Sequence, residues 1–171
     1  MSWIQTYTGR QFWPLAPRPG DIDIADIAHS LSLQCRFNGH CRSFYSVAQH
    51  SVLVSHAVPA EFALWGLLHD AAEAYVSDLP RPLKATAPDF RAAEDRVLQA
   101  IATQFGLSWP MPDAVAHADD ALLATELRDL MAPPPEPWGL PVPPLAEAIT
   151  PVAAEVARQL FLTRFAELWR R

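Results

Sequence analysis

The fold depends on the stretch FALWGLLHDAAEAYVSDLPRPLK, residues 62–84. Residues 61–75 are apolar on almost every side of a helix, and this pattern predicts a central helix that packs against several neighbours. His69 and Asp70 stand side by side within that run, and Glu73 follows about one turn later. Because a buried carboxylate costs free energy unless a cation or hydrogen bonds compensate it, these polar positions indicate a functional site.

The chain has 171 residues, a length that suits one domain with a substantial core, and we expect a single domain over 1–171. Half of the residues are hydrophobic and six are tryptophan, which is typical of a folded protein. The net charge of −6 disfavours nucleic acid as a partner, because binding to phosphates needs clustered Lys and Arg.

The start of the sequence has no signal-peptide pattern, and no uninterrupted apolar segment reaches bilayer length. We therefore expect a cytoplasmic protein with no membrane partner. Cys35 and Cys41 form neither a CxxC pair nor a disulfide-dense framework, so we expect two free thiols in a reducing compartment.

Helical spacing of apolar residues recurs along the chain, whereas alternating strand patterns are scarce. The predicted fold class is all-α, a single helical bundle with its core over about 21–131. The proline-rich residues 133–144 are predicted to form a stiff surface connector rather than a recognition motif. Helices are expected at 21–33 (N-cap Asp21), 46–57 (N-cap Ser46), 61–75, 88–105 (stopped by Gly106), from Pro112 to about 131, and 151–170 (N-cap Thr150).

A bound metal ion would offset the free-energy cost of burying the Asp70 carboxylate next to His69. His50 falls on the apolar stripe of the preceding predicted helix and therefore points inward. The segment HADDALLATE can supply a fourth ligand. Asp119 shares the phase of its apolar residues and is preferred, while Asp120, rotated by roughly 100°, remains the alternative. Two imidazoles and two carboxylates suit a divalent first-row transition metal and leave positions for water and a substrate oxygen.

These segments resemble a known family, the HD-domain metal-dependent phosphohydrolases. The resemblance rests on SVAQHS at 46–51 and HDAAEAYVSDLPRPLK at 69–84. It is closest to the small bacterial 5'-deoxynucleotidases and the phage-type dATP triphosphohydrolases. The triphosphohydrolases are favoured by PLAPRPGDIDIADIAHSLSLQCRFNGHCRSFYSVAQHS at 14–51. The resemblance extends over about 10–131 and implies a helical HD-domain bundle.

The resemblance also implies roles for individual residues. It places the metal ligands at His50, His69, Asp70 and Asp119. By the same resemblance, Glu73 orients or deprotonates the attacking water, and Asp78 hydrogen-bonds the sugar or the leaving oxygen. The alternatives are structural: Glu73 pairs with an arginine or lysine, and Asp78 caps the turn before Pro80.

Four residues are expected to bind the substrate. Arg36 and Phe37 match the Arg–aromatic pair that contacts phosphate and base in these nucleotidases. Arg42 is the competing phosphate ligand. Lys84 is expected at the phosphate entrance, with a solvated surface lysine as the alternative. Glu126, on the same helix face as the fourth metal ligand, is expected to hold an arginine or Lys84, or to form a purely structural ion pair.

The resemblance implies hydrolysis of the 5' phosphate ester of a small-molecule nucleotide by a water that the metal activates. The expected cofactor is a divalent ion: Co, Mn, Zn, Ni, Fe or Mg. Two alternatives remain open, a dNTP triphosphohydrolase that releases triphosphate and an inactive metal- or nucleotide-sensing HD module. By similarity we also expect a homo-oligomer, a dimer or larger, with exposed Trp138 and Trp169 as candidates for its interface.

Overall fold

The computed structural model describes residues 2–169, and this part of the chain is mostly helical. That result agrees with the predicted all-α class at the level of secondary structure. No helix in the described range is long and apolar enough to cross a bilayer. The helices are α1 (Ile24–Leu33), α2 (Val47–Ala57), α3 (Ala63–Leu68), α4 (Glu73–Val76), α5 (Arg81–Lys84), α6 (Pro88–Phe105), α7 (Asp113–Leu130) and α8 (Ala154–Leu168). Short 3-10 turns lie at Pro19–Asp21, Arg36–Gly39 and Ala60–Phe62.

A small β-hairpin precedes the helices, and the sequence did not predict it. β1 (Ile4–Gln5) pairs antiparallel with β2 (Gln11–Phe12). Phe12 is fully buried and stacks on Tyr75 with a ring-centroid distance of 4.1 Å, which fastens the hairpin to the helical core. Strands of two residues are too short to show an alternating pattern.

α2 lies at the centre of the bundle and contacts α1, α3, α7 and α8. Its predicted N-cap is confirmed, because the Ser46 hydroxyl accepts a hydrogen bond from the Gln49 N–H at 3.1 Å. Most residues of α2 are buried, and His50 is among them. Since buried polar groups are almost always hydrogen-bonded, His50 requires partners inside the bundle.

The predicted N-cap of α1 is wrong. Asp21 closes the preceding 3-10 turn and accepts a hydrogen bond from Arg18 at 2.7 Å. Asp23 is the N-cap instead, and its carboxylate accepts from the Ala25 N–H at 2.9 Å. Both acids are good caps by residue type, and the turn decides which of them reaches the first free N–H groups.

The central helix predicted over 61–75 is interrupted at 69–72, between α3 and α4. In this turn the N–H of Glu73 donates to the carbonyl of Asp70 at 3.0 Å. A three-residue spacing of this kind is that of a 3-10 turn, which winds more tightly than an α-helix. The turn carries His69 and Asp70, and it leaves Nε2 of the histidine 3.3 Å from Oδ2 of the aspartate.

α6 has its predicted bounds, and Gly106 stops it with a left-handed φ of 69°. The predicted start of the C-terminal helix is wrong, because α8 begins at Ala154 with no side-chain cap. The Thr150 carbonyl, in a segment that is still extended, accepts a hydrogen bond from the Gln49 side chain at 2.8 Å. Residue 170, the last of the predicted helix, lies outside the described residues.

Residues 131–153 join α7 to α8 without helix or strand. Their second half is fastened to α7: the Leu145 N–H donates to Thr125 Oγ1 and the Ile149 N–H donates to Asp129, both at 2.8 Å. This segment therefore follows a defined path over the bundle.

The two tryptophans that were expected to be exposed differ. Trp138 is 51% exposed, as expected. Trp169 is half-buried and packs on Phe105 and Phe165, with ring-centroid distances of 5.6 and 5.2 Å. Trp169 therefore belongs to an aromatic cluster within the chain.

Candidate metal centre

His50, in the middle of α2, is fully buried. Its Nδ1 lies 2.6 Å from Oε1 of Glu126, a fully buried residue of α7. Because an ionised carboxylate only accepts hydrogen bonds, the His50 Nδ1–H donates to it. In the neutral ring Nε2 then carries a lone pair that is free for another partner.

His69 follows α3 and is also buried. Its Nδ1–H donates to the carbonyl of Gly66 at 2.8 Å, so its Nε2 likewise carries the lone pair of the neutral ring. The Nε2 atoms of His50 and His69 lie 3.3 Å apart. Two acceptor atoms thus face each other without a hydrogen between them when both rings are neutral.

Two carboxylates approach the same point. Oδ1 of Asp119 lies 3.1 Å from Nε2 of His50 and 3.9 Å from Nε2 of His69. His50, His69 and Asp119 each offer one ligand atom, and these three atoms lie within 4.8 Å of one another. Oδ2 of Asp70 lies 3.3 Å from Nε2 of His69 and 3.7 Å from Nε2 of His50. This donor set fits a divalent cation, because two imidazole nitrogens and two carboxylates match its charge and suit a first-row metal.

The electrostatics of the cluster favour added positive charge. Burial alone would lower the pKa of His50, but Glu126 and Asp119 outweigh it and raise the pKa to about 9. Burial would also lower the pKa of His69, and Asp70 reverses that shift. Burial would raise the pKa of Asp119, yet the hydrogen bond to His50 lowers it to about 2. A divalent cation supplies the same positive charge without protonating the ligands.

The geometry distinguishes Asp119 from Asp120. Asp119 faces the two histidines, whereas Oδ1 of Asp120 lies 3.6 Å from a guanidinium nitrogen of Arg81. The structure thus brings together all four residues proposed as ligands, with Asp119 as the member contributed by α7.

Glu126 and Arg36 are not candidate ligands themselves but contact His50 and Asp70, and they form a layer behind the centre. Nη2 of Arg36 lies 3.0 Å from Oε2 of Glu126, and Nη1 lies 3.4 Å from Oδ2 of Asp70. Glu126 therefore holds both an arginine and the ring of His50, and it does not pair with Lys84. Such a carboxylate behind a ligating imidazole fixes the tautomer and orientation of the ring. The helical phase from residue 119 to 126 was the sequence signal for this position.

A cavity of about 190 Å³ lies beside Arg36, the arginine whose guanidinium is 3.4 Å from Asp70. Four of the predicted site residues line it: Arg36, Phe37, Glu73 and Asp78. Its other lining residues are Gln34, Cys35, Asn38, Val47 and Ser77. Four of the side chains expected to contact substrate or water therefore share one space, and Arg36 connects that space to Asp70 of the candidate centre.

The walls of this cavity contain backbone strain. Phe37, Asn38 and Ser77 have left-handed φ angles of 54°, 51° and 63°, and they are the non-glycine residues of the described chain with such angles. All three line the cavity. Such conformations cost about 1–3 kcal/mol each and concentrate at ligand-binding and catalytic sites.

Glu73, Asp78 and Glu94 form a second acidic group, with carboxylate oxygens within 4.8 Å of one another. Burial, followed by the charges of Asp70 and Asp78, raises the pKa of Glu73. The ammonium of Lys84 lies 2.7 Å from Asp78 and 2.8 Å from Glu94. Lys84 thus forms an ion-pair bridge and is not a solvated surface lysine, while its place at the phosphate entrance stays a prediction.

Arg42 does not join the site. Its side chain is exposed, and it is absent from the lining of the cavity. Its backbone N–H donates to the carbonyl of Leu130 at 2.9 Å. Of the two arginines considered for phosphate, the structure places only Arg36 beside the centre.

A homologue spans nearly the whole chain. The uncharacterized protein YfdR of Escherichia coli (strain K12) is 44% identical over 172 aligned positions, which cover 98% of this chain and 96% of YfdR. The chain belongs to the YfdR family. An uncharacterized protein of Rhodobacter capsulatus is 35% identical over 127 positions, covering 68% of this chain and 65% of the relative. No protein-family model matches the sequence.

This YfdR-family chain also has a larger cavity, of about 490 Å³, between the hairpin, α1 and α4. It contains the rings of Tyr7 and His29, stacked at 3.7 Å, and the buried Asp26, whose oxygens accept hydrogen bonds from Thr8. None of His50, His69, Asp70 and Asp119 lines either cavity. The smaller cavity contains Arg36, whose guanidinium lies 3.4 Å from Asp70, and it is connected to the candidate centre through that arginine.

Proposed function

We propose that this chain is a metal-dependent phosphohydrolase of the HD-domain type that cleaves the 5' phosphate ester of deoxynucleoside monophosphates. One observation carries the proposal. Two imidazoles, each with Nδ1 committed to a hydrogen bond, converge with the carboxylates of Asp70 and Asp119, and Arg36 connects this group to a cavity lined by two further acids.

The residues present fit a divalent cation, and four of them would hold it: His50, His69, Asp70 and Asp119. When bound, the cation supplies Lewis acidity that activates water and offsets charge on the phosphate. Nitrogen and oxygen donors together favour Mn, Fe, Co, Ni or Zn over Mg. Glu126 and the Gly66 carbonyl keep both imidazoles in the orientation that this role needs.

The neighbouring side chains supply binding and proton transfer. Arg36 lines the cavity and is the residue proposed to bind the phosphate. Glu73 orients the water and accepts its proton. Its raised pKa makes it a stronger base than an ordinary carboxylate, which suits this task. Asp78, at the same cavity, hydrogen-bonds the sugar or the leaving oxygen.

The charges favour a monophosphate over a triphosphate. Among the residues that line the small cavity, Arg36 is the one cation, and it is already paired with Asp70 and Glu126. Lys84 is held between two carboxylates. Because a triphosphate brings more negative charge, it needs more free cations than this wall offers.

The test is product release from a panel of deoxynucleoside mono- and triphosphates, with Mg, Mn, Co, Ni, Fe and Zn supplied separately. We expect orthophosphate from monophosphates. Intact triphosphate from the triphosphates would replace the proposal with the triphosphohydrolase. Metal bound without any hydrolysis would contradict an enzymatic role and favour a sensing module.

A variant pair links turnover to the site. Glu73→Ala is expected to retain the metal and lose most of the rate, because its carboxylate lies outside the four acceptors. Glu61→Ala, on an exposed residue before α3, is the control and is expected to keep both. Full activity in Glu73→Ala would exclude Glu73 as the base.

A further inference from the structure

The proline-rich segment passes close to the candidate site. It leaves α7 where the carbonyl of Leu130 accepts the Arg42 N–H, and it is fastened again where the Leu145 N–H donates to Thr125. Trp138 lies between these two attachments and is 51% exposed. A large exposed aromatic side chain in a segment held at both ends is suited to contact a ligand.

Trp138 contacts a residue of the small cavity. Its ring meets the ring of Phe37 edge to face, with a centroid distance of 6.4 Å and an interplanar angle of 77°. Phe37 lines the cavity next to Arg36, whose guanidinium carbon lies 5.6 Å from the centroid of the Phe37 ring. With increasing distance from the candidate metal centre, the contacts thus run from Arg36 to the ring of Phe37 and then to the ring of Trp138.

The backbone around this aromatic pair includes three residues with left-handed φ angles and a proline. Phe37 and Asn38 both have left-handed φ angles, and Gly139, directly after Trp138, has a φ of 64°. Pro137 directly precedes the tryptophan. Because proline limits the conformations of the free segment, less conformational entropy is lost when the segment binds a ligand. Pro137 therefore lowers the entropic cost of fixing Trp138 against a ligand.

We propose that the Trp138 ring offers a stacking surface for the base of the nucleotide, with Phe37 packed against that ring at 77°, and that Trp138 is a specificity-determining residue. This inference rests on the proposed function, because Arg36 must hold the phosphate for the base to reach the Trp138 ring. Stacking reads the flat face that every base possesses. The surface therefore selects for the presence of a base and discriminates only weakly among the four bases.

The experiment compares kcat/KM for a deoxynucleoside 5'-monophosphate with kcat/KM for 2-deoxyribose 5-phosphate, which lacks the base. Trp138→Ala is expected to lower the ratio of the two about tenfold, mainly through KM for the nucleotide. Trp138→Phe retains an aromatic ring and is expected to restore most of the ratio. Trp109→Ala is the matched control, because Trp109 is 44% exposed and packs near Trp65, which does not line the small cavity.

The outcomes separate this inference from the proposed function. An equal loss on both substrates in Trp138→Ala would overturn the stacking role while leaving the nucleotidase proposal intact. If the unmodified protein hydrolyses neither substrate, the nucleotidase proposal fails. Equilibrium binding of deoxyadenosine monophosphate then tests the surface by itself: about tenfold weaker binding in Trp138→Ala supports it, and unchanged binding overturns it.

Discussion

At the scale of single residues, His50 and His69 each use one ring nitrogen for a structural hydrogen bond and present the other to the centre. The partners differ in kind: a buried carboxylate for His50 and a backbone carbonyl for His69. A carboxylate can be removed by substitution, whereas a backbone carbonyl cannot. This difference makes the layer behind His50 accessible to experiment.

The two adjacent acids of α7 provide a matched pair. Asp119→Asn is expected to abolish metal retention, because it removes a charge that faces both histidines at 3.1 and 3.9 Å. Asp120→Asn is expected to retain the metal, since its carboxylate faces Arg81. Metal content after purification, measured by mass spectrometry, checks both. The reverse pattern would move the fourth ligand to Asp120.

Glu126→Gln tests the layer behind His50. The amide nearly preserves the volume but removes the charge that holds the imidazole N–H and Arg36. Loss of such a partner typically weakens metal binding by about 10- to 100-fold, which is the result we expect. Competition with a fluorescent chelator gives the affinity. An affinity equal to that of the unmodified protein would show that the orientation of His50 does not depend on Glu126.

At the scale of elements, the site depends on the close packing of α3 on α2. Gly66 lies where these helices approach, and a Cβ there would come within 3.0 Å of Ser55 Cα and 3.0 Å of Val58 Cγ2. The Gly66 carbonyl also receives the Nδ1–H of His69. The glycine thus lets the helices meet and positions a candidate ligand at the same time.

Gly66→Ala is expected to lower the free energy of unfolding by about 1–3 kcal/mol, because the backbone of α2 cannot move aside without disturbing the core. Gly20→Ala is the control, since a Cβ at Gly20 has nothing within 4 Å and its φ is not left-handed. Urea unfolding of the two variants measures the difference. If both variants have equal stability, α2 and α3 tolerate a wider separation than the structure shows.

At the scale of the whole molecule, Gln49 joins the central helix to the C-terminal part of the chain. Its amide nitrogen donates to the Thr150 carbonyl at 2.8 Å, and its amide oxygen accepts the Val152 N–H at 2.9 Å. These two bonds fix the extended residues before α8, which packs on α1, α2 and α3. One buried side chain of α2 therefore fastens a segment about a hundred residues away.

Gln49→Ala is expected to lower the free energy of unfolding, because a carbonyl and an N–H lose their partners, at about 1–3 kcal/mol for each group that stays buried. Thermal unfolding measures the loss. Faster proteolysis within 131–153 would show that the loss of stability lies in that segment. Gln159→Ala, on an exposed residue of α8, serves as the control. Unchanged protection of the segment would show that its attachments to α7 suffice.

Metal binding is expected to stabilise the whole fold, since the four acceptors come from α2, α7 and the turn after α3. A free metal concentration of about 100 times Kd adds about 2.7 kcal/mol to the free energy of unfolding if the unfolded chain does not bind. The rise in Tm with added metal measures this gain, and Asp119→Asn is expected to abolish it. A rise that persists in Asp119→Asn would place the metal elsewhere.

Features set by neighbouring residues were predictable from the sequence. The Ser46 cap, the bounds of α6 and the stop at Gly106 depend on hydrogen bonds and dihedral angles within a few positions. The inward phase of His50 and Asp119 follows from helical periodicity alone. These local rules pointed to His50, His69 and Asp70 and preferred Asp119, while Asp120 stayed open until the structure placed it beside Arg81.

Only the tertiary structure decided which distant groups meet. The ion-pair bridge made by Lys84, the contact between Phe37 and Trp138, and the attachment of Thr150 to Gln49 join residues 6 to 101 positions apart. The break at 69–72 also escaped prediction, because an apolar run has the same pattern in a continuous helix and in one interrupted by a 3-10 turn. Local sequence determines how a segment winds, whereas packing determines what its side chains face.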